Sequence, residues 1–230
     1  MKIIVSYDGT KNDTDALALG SLLAGAGGLL SLAYVRHAKE ADAAREHQAQ
    51  SDAAALLETG ATWLGDPEVP RHVVLSGSTP EGLRDLAEDE GAEIVVFGSE
   101  YRTTPGHVQP GTSALRLLEG GPIALALAPA GLSAGAIPAI ESVAAVGEDG
   151  DPGPRETAES PAASLGATVA ARAEGGSGSL VVVGSKPGTA PGRVMVSAAA
   201  QYLIELIRCP VLVLPYGSAL RFGRGGSTET

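Results

Sequence analysis

Residues 94–129 read IVVFGS-EYRTTPGHVQPGTS-ALRLLEGG-PIALALAP. A short apolar run ends at Gly98-Ser99, and a loop rich in glycine and proline follows. Gly111-Thr112-Ser113 then opens an amphipathic segment that stops at Gly120-Gly121, and a second apolar run closes the unit. The order is strand, glycine loop, helix, strand, which aims backbone N–H groups and the positive end of a helix at an anion. The stretch predicts an α/β unit with a phosphate cradle at the ends of its strands.

The chain on either side keeps the alternation. Residues 3–7 (IIVSY) form a nearly continuous apolar strand of the kind buried on both faces of a parallel sheet. Asp8-Gly9-Thr10 turns the chain, and a helix follows with Ala16, Leu17, Leu19, Leu22 and Leu23 on one side, capped by Asp13 or Thr14 and ended within residues 25–28. Strand 30–35 precedes a helix over 39–64, in which Glu58-Thr59-Gly60 suggests a stop before a looser tail. Strand 71–75 leads to Ser78-Thr79-Pro80-Glu81, a hydroxyl cap with proline and an acid in the first turn, and Gly91 ends that helix. Strand alternating with helix implies a parallel sheet layered between helices.

Residues 130–138 (AGLSAGAIP) read as a small-residue linker. Beyond it, 142–146 is another first strand, 152–165 a proline-interrupted helix candidate, and 167–173 another strand. From 180 the unit at 94–129 returns with a constant offset of 86 and 12 identities in 36 ungapped positions, Gly98/Gly184, Ser99/Ser185, Gly106/Gly192 and Pro129/Pro215 among them. The second copy has no room for the helix, strand and helix that fill 39–91. The expected organisation is a unit over 1–130, a linker over 131–138, a shortened copy over 139–216 and a disordered Gly/Ser-rich tail over 217–230.

Composition narrows the partners. A formal charge of −11, four lysines and few aromatic residues argue against nucleic acid, which is bound through Lys/Arg neutralisation and aromatic stacking. One cysteine excludes an internal disulfide framework, and the start of the chain lacks a leader pattern, which together predict a cytoplasmic protein. No apolar run reaches the length that spans a bilayer. His37 and His107 have no second ligand at metal-binding spacing.

Three features together resemble the universal stress protein family in tandem form: the first strand with Tyr7-Asp8-Gly9, the strand end Val95-Val96-Phe97-Gly98-Ser99, and the loop to Gly111-Thr112. Members that bind ATP share Gly, two residues, Gly, nine residues, Gly, then Ser or Thr. Here Gly98 and Gly111-Thr112 keep that spacing, with Tyr101 in place of the second glycine; the second copy has Gly184, Pro187, Ser197 and Ala198. The resemblance implies an open, parallel five-stranded sheet with helices on both faces, similar to the adenine nucleotide alpha hydrolases, followed by a truncated copy. It implies ATP or AMP, with Mg²⁺ as a candidate companion. The base would lie near Asp8 and the backbone of Val35, and the phosphates along Gly98, Ser99, Gly106, Gly111, Thr112 and Ser113. It also implies that the closing strands, 123–128 and 211–214, pair within the chain.

Each residue also has a plainer reading. Asp8 can cap its own turn. Gly106, Pro105 and Pro110 can simply bend the loop, and Thr112 can simply cap its helix. Arg102, the cation of the first loop, can meet a phosphate or stand in solvent. The favoured expectation is a regulatory protein that holds a nucleotide in its first repeat and acts by conformation or partner binding. A nucleotide-free interaction module is the alternative. A slow ATPase is disfavoured, because the chain has no Gly-Lys-Ser/Thr loop. A sheet face left bare by the shortened copy makes a homodimer a candidate assembly.

Overall fold

The computed structural model describes residues 1–135, 137, 139–147, 151–171 and 178–223. The first half runs β1 (Lys2–Ser6), α1 (Asp13–Gly25), β2 (Leu29–Arg36), α2 (Ala43–Leu64), β3 (Arg71–Leu75), α3 (Thr79–Glu90), β4 (Ile94–Phe97), α4 (Thr112–Leu118) and β5 (Ala124–Leu127). The second runs β6 (Ser142–Val146), α5 (Gly153–Leu165), β7 (Thr168–Ala170), β8 (Ser179–Val183), α6 (Ala198–Leu206) and β9 (Val211–Val213). It has no described counterpart of α2, β3 and α3, as the length of the second copy requires.

All strands belong to one sheet of order β3-β2-β1-β4-β5-β9-β8-β6-β7. Pairing is parallel within each half and antiparallel only between β5 and β9, where Leu125 faces Val213, Ala126 faces Leu212 and Leu127 faces Val211. The expected pairing of closing strands within the chain is therefore present. Its register is symmetric: adding 86 to 125 gives 211, the partner of 127, so a pseudo-twofold axis passes through the Ala126/Leu212 pair. Both strands are buried along their whole length, so each hides the other's unpaired edge. One apolar layer joins the sheet to α1, α2 and α5 through Leu17, Leu19, Leu57, Ala61 and Ala158. The opposite layer joins it to α3, α4 and α6 through Leu83, Leu117, Leu118 and Ile204.

Local chemistry sets most helix limits. α3 begins where Ser78 accepts the Glu81 N–H and ends at Gly91, whose φ of +63° suits glycine. Asp42 caps α2 by accepting the Ala44 and Arg45 N–H groups. The expected stop at Glu58-Thr59-Gly60 does not occur: α2 continues to Leu64 and ends at Gly65, φ +68°. Gly60 is instead a close-packing position, since a Cβ there would lie 3.0 Å from Leu32 Cδ1 and 3.3 Å from Tyr7. The expected cap of α1 by Asp13 or Thr14 is also corrected. Asn12 holds the cap position, and Asp13 is the first helical residue.

The chain end departs from expectation as well. Residues 217–223 lie against α5 rather than free of the fold, while 224–230 fall outside the described residues. Leu220 and Phe222 are buried, the Leu220 N–H donates to Thr157 Oγ1 (2.8 Å), and the Phe222 N–H donates to Ser160 Oγ (2.7 Å). Two apolar side chains in a polar stretch give no periodicity, so the sequence pattern hides this docking. Phe222→Ala is expected to cost about 2–3 kcal/mol, below the roughly 3–5 kcal/mol of a phenylalanine deep in a core. That is a melting point lower by about 4–12 °C. An unchanged melting curve would return the segment to solvent.

Candidate functional site

The crevice expected to hold a ligand lies where β1 and β4 part, at the switch point of the first half. Two loops meet there, 7–12 after β1 and 98–111 after β4. Asn12 ties them together: its amide donates to the carbonyls of Ser99 (3.0 Å) and Glu100 (2.8 Å). A Cβ at Gly98 would run into the Asn12 carbonyl, so this glycine is required by the protein's own backbone. Ser99 is buried; its hydroxyl donates to the Ala128 carbonyl (2.7 Å) and accepts the Gln109 N–H (3.1 Å). The Gly106 N–H donates to the Ala130 carbonyl (2.7 Å).

The second half repeats this frame residue for residue. Ser185 donates to Leu214 (2.7 Å) and accepts from Met195 (3.0 Å), and the Gly192 N–H donates to Tyr216 (3.0 Å). What the two copies share in sequence is thus what folds the loop. At the second switch point a Cβ on Gly184 would meet Pro154 at 2.7 Å, so a proline ring fills the space there.

The remaining candidates separate into two places. Thr112 and Ser113, at the start of α4, line a cleft of about 320 Å³ together with His37, Gly77, Ser78, Thr79, Pro80 and Arg116. Gly111 precedes it as the extended residue before α4, φ −73°. Val35 ends close by on β2, but its side chain packs under α3, 3.0 Å from where a Gly82 Cβ would stand. Among the described residues Arg116 has no ion pair or side-chain hydrogen bond. Arg36, beside His37, is held by both Glu46 oxygens (2.9 and 2.8 Å), which keeps the Glu46 carboxyl down at about 2.

Asp8, Arg102, Gly106 and Tyr101 do not line that cleft. Asp8 closes its own turn by accepting the Thr10 N–H (3.0 Å). Arg102 lies over the Tyr101 ring, 4.9 Å from its centroid, and its N–H donates to the Glu100 carboxylate (2.8 Å). Tyr101 carries no backbone strain, since every described residue with positive φ is a glycine. It lines a different cavity with Lys11, Pro105 and Gly106, roofed by residues 129–135. That roof is fastened to buried Asp15, which accepts the Gly131 N–H (2.7 Å), the Ser133 N–H (2.7 Å) and the Ser133 hydroxyl (2.6 Å).

Sequence reasoning missed Asn12, Asp15 and Arg116, and read Asp13 only as a helix cap. Arg116 had a signal: four residues after Thr112, it falls on the same helix face. Ser78 and Thr79 were read only as a helix start. Asn12 and Asp15 act on segments roughly a hundred residues away, which no local pattern reveals.

Asp13 accepts the N–H groups of Asp8 (2.6 Å) and Thr10 (3.2 Å) and the Thr10 hydroxyl (2.9 Å). Burial first, then the adjoining Asp8 carboxyl, push its pKa up from 3.8 to about 7. The folded state then binds the proton more tightly than the unfolded one. The associated stability is present below pH 4 and is lost as pH rises towards 7. Asp13→Asn, which mimics the protonated form, should therefore lose its disadvantage relative to the parent chain on going from pH 5 to pH 8. Urea midpoints of both proteins at the two pH values measure this; an equal gap at both would contradict it.

Comparison with known proteins accords with this architecture. The family model described as Universal stress protein family matches residues 1–129. A search of curated proteins finds no match. Among solved structures, a universal stress protein from Archaeoglobus fulgidus is similar at 12% identity and TM-score 0.66, over 93% of this chain and 98% of that one. A functionally unknown protein from Pseudomonas aeruginosa PAO1 is similar at 13% identity and TM-score 0.59, over 94% and 92%. At such identities the structures speak for the fold alone. With the family model spanning more than half its length, the chain belongs to the universal stress protein family.

Proposed function

We propose that the first repeat binds an adenine nucleotide, ATP or AMP, with its phosphates in the cleft between the starts of α3 and α4, and that the protein acts by conformation or partner contact. One observation carries this reading. In a chain of net charge −11, the lining of this cleft contains Arg116 and His37, the hydroxyl residues Ser78, Thr79, Thr112 and Ser113, and, among the described residues, no carboxylate. Two helix starts add their N–H groups and positive ends. Thr112 and Ser113 would meet phosphate oxygens and Arg116 would supply the charge-assisted contact. The backbone at Val35 and the turn at Asp8 would face the base. In this reading Gly98, Ser99 and Gly106 shape the loop, Gly111 lets α4 start where it does, and Arg102 stays outside. Mg²⁺ would accompany a triphosphate through water and phosphate oxygens. Without a carboxylate to activate water, the reading stops at binding.

A nucleotide-free module remains a second reading, favoured by the loop frame of Ser99 and Ser185. That frame is complete in both copies, including the one that has Ser197 and Ala198 in place of Gly111 and Thr112.

A thermal-shift titration separates the two. At about 100-fold excess over Kd a ligand adds roughly 2.7 kcal/mol, which raises the melting point of a chain this size by about 5–10 °C. Mg-ATP or AMP is expected to produce that shift, and Arg116→Ala or Thr112→Glu to remove most of it. No shift with any adenine nucleotide at millimolar concentration would leave the interaction module.

A further inference from the structure

The Arg116 cleft is small and poorly supplied with positive charge. Its volume is about 320 Å³, about half that of the cavity under 129–135 at about 610 Å³. Among the described residues its lining contains one arginine, Arg116, and one histidine, His37, with no lysine and no carboxylate. Other cations of the first half are committed or lie elsewhere. Arg36 is held by both oxygens of Glu46 (2.9 and 2.8 Å), and the two side chains are only 10% and 13% exposed. Drawing Arg36 towards a ligand would leave a shielded carboxylate without its partner. Arg102 lies over the ring of Tyr101, and Lys11 and Tyr101 line the cavity under 129–135. Around Arg116 the chain as a whole carries a net charge of −11.

We infer that this cleft is selective for a single phosphate: it takes a nucleoside monophosphate, AMP, in preference to ADP or ATP. This selectivity rests on the adenine-nucleotide reading of the same cleft and narrows it. Arg116 can grip one phosphate through two N–H donors, and the hydroxyls of Thr79, Thr112 and Ser113 can donate to its other oxygens. Each further phosphoryl group adds negative charge that no second arginine or lysine among the described lining residues meets, inside the field of an acidic protein. Mg²⁺ is the usual remedy, but it is bound through one or two carboxylates together with the phosphates. No carboxylate among the described residues lines this cleft. Charge therefore favours the first phosphate and opposes the second and third. Affinity should rise from adenosine to AMP and fall again through ADP to ATP.

Calorimetric titration of the full chain with adenosine, AMP, ADP and ATP, at one ionic strength and with metal ions chelated, reads that order. AMP should bind about tenfold or more tightly than either adenosine or ATP, with ADP between AMP and ATP. Raising salt should narrow the gap between AMP and ATP, because repulsion is what separates them. Gly77 offers a place to supply the missing charge: it lines the cleft, its φ is not positive, and a Cβ there would meet nothing within 4 Å. Gly77→Lys should melt close to the parent chain and tighten ATP about tenfold more than AMP. ATP bound as tightly as AMP by the parent chain, a ratio that salt leaves unchanged, or a folded Gly77→Lys with the parent's ratio would each overturn the selectivity while leaving the nucleotide reading in place. No heat from any of the four at about 10 mM would overturn both.

Discussion

The antiparallel contact of β5 with β9 is the constraint on which the rest depends. Each half is a parallel sheet whose last strand is buried on both faces, ALAL at 124–127 and VLV at 211–213. Such a strand cannot stand at an edge, because its unpaired N–H and C=O groups would lie in an apolar layer. Pairing the two edges satisfies both. Because the pairing is antiparallel and centred on Ala126/Leu212, it also makes the halves local twofold mates. The two cores then run continuously through the whole sheet. That shared burial lets a half without described counterparts of α2, β3 and α3 remain part of a stable fold.

The same seam explains why the two copies of the glycine loop could diverge so far. Loop 98–110 must return to the chain just after β5, and loop 184–196 to the chain just after β9. In each, a serine hydroxyl and a glycine N–H make that return. Selection on folding alone would keep Gly98, Ser99, Gly106 and their partners at 184, 185 and 192. It would be indifferent to Gly111 and Thr112, which take no part in the frame. Both are among the positions at which the copies differ, and Thr112 lines the cleft with Arg116.

Much of the fold was legible because its elements are set by short-range chemistry. The bounds of β6 and the cap, proline and terminal glycine of α3 appear in the sequence itself. Gly60 misled because a glycine that stops a helix and one that admits a neighbouring side chain look the same until Leu32 is placed. Leu220 and Phe222 were invisible because two isolated apolar residues carry no period, and what buries them is α5, some sixty residues away. The site was legible in part. Thr112 and Ser113, expected near a ligand, line the cleft with Arg116, whereas Gly98 and Ser99 serve the protein's own backbone. A motif position records that a residue type is needed there, not which neighbour needs it.

The second switch point completes that argument. At the first, the space over Gly98 is taken by the Asn12 carbonyl, and the cleft between the starts of α3 and α4 stands open. At the second, the space over Gly184 is taken by the apolar ring of Pro154, and a Cβ on Gly153 would collide with the returning chain at Ser218. Segment 217–223, docked on α5 and fastened to Asp151, Thr157 and Ser160, closes that end of the second half with protein. The second copy has therefore not merely lost residues that could hold a ligand; it has packed its own chain into the region. A ligand at its switch point would have to displace Pro154 and Ser218 from their contacts. At the cleft beside α4 it would displace only solvent, so the two switch points differ in what already fills them.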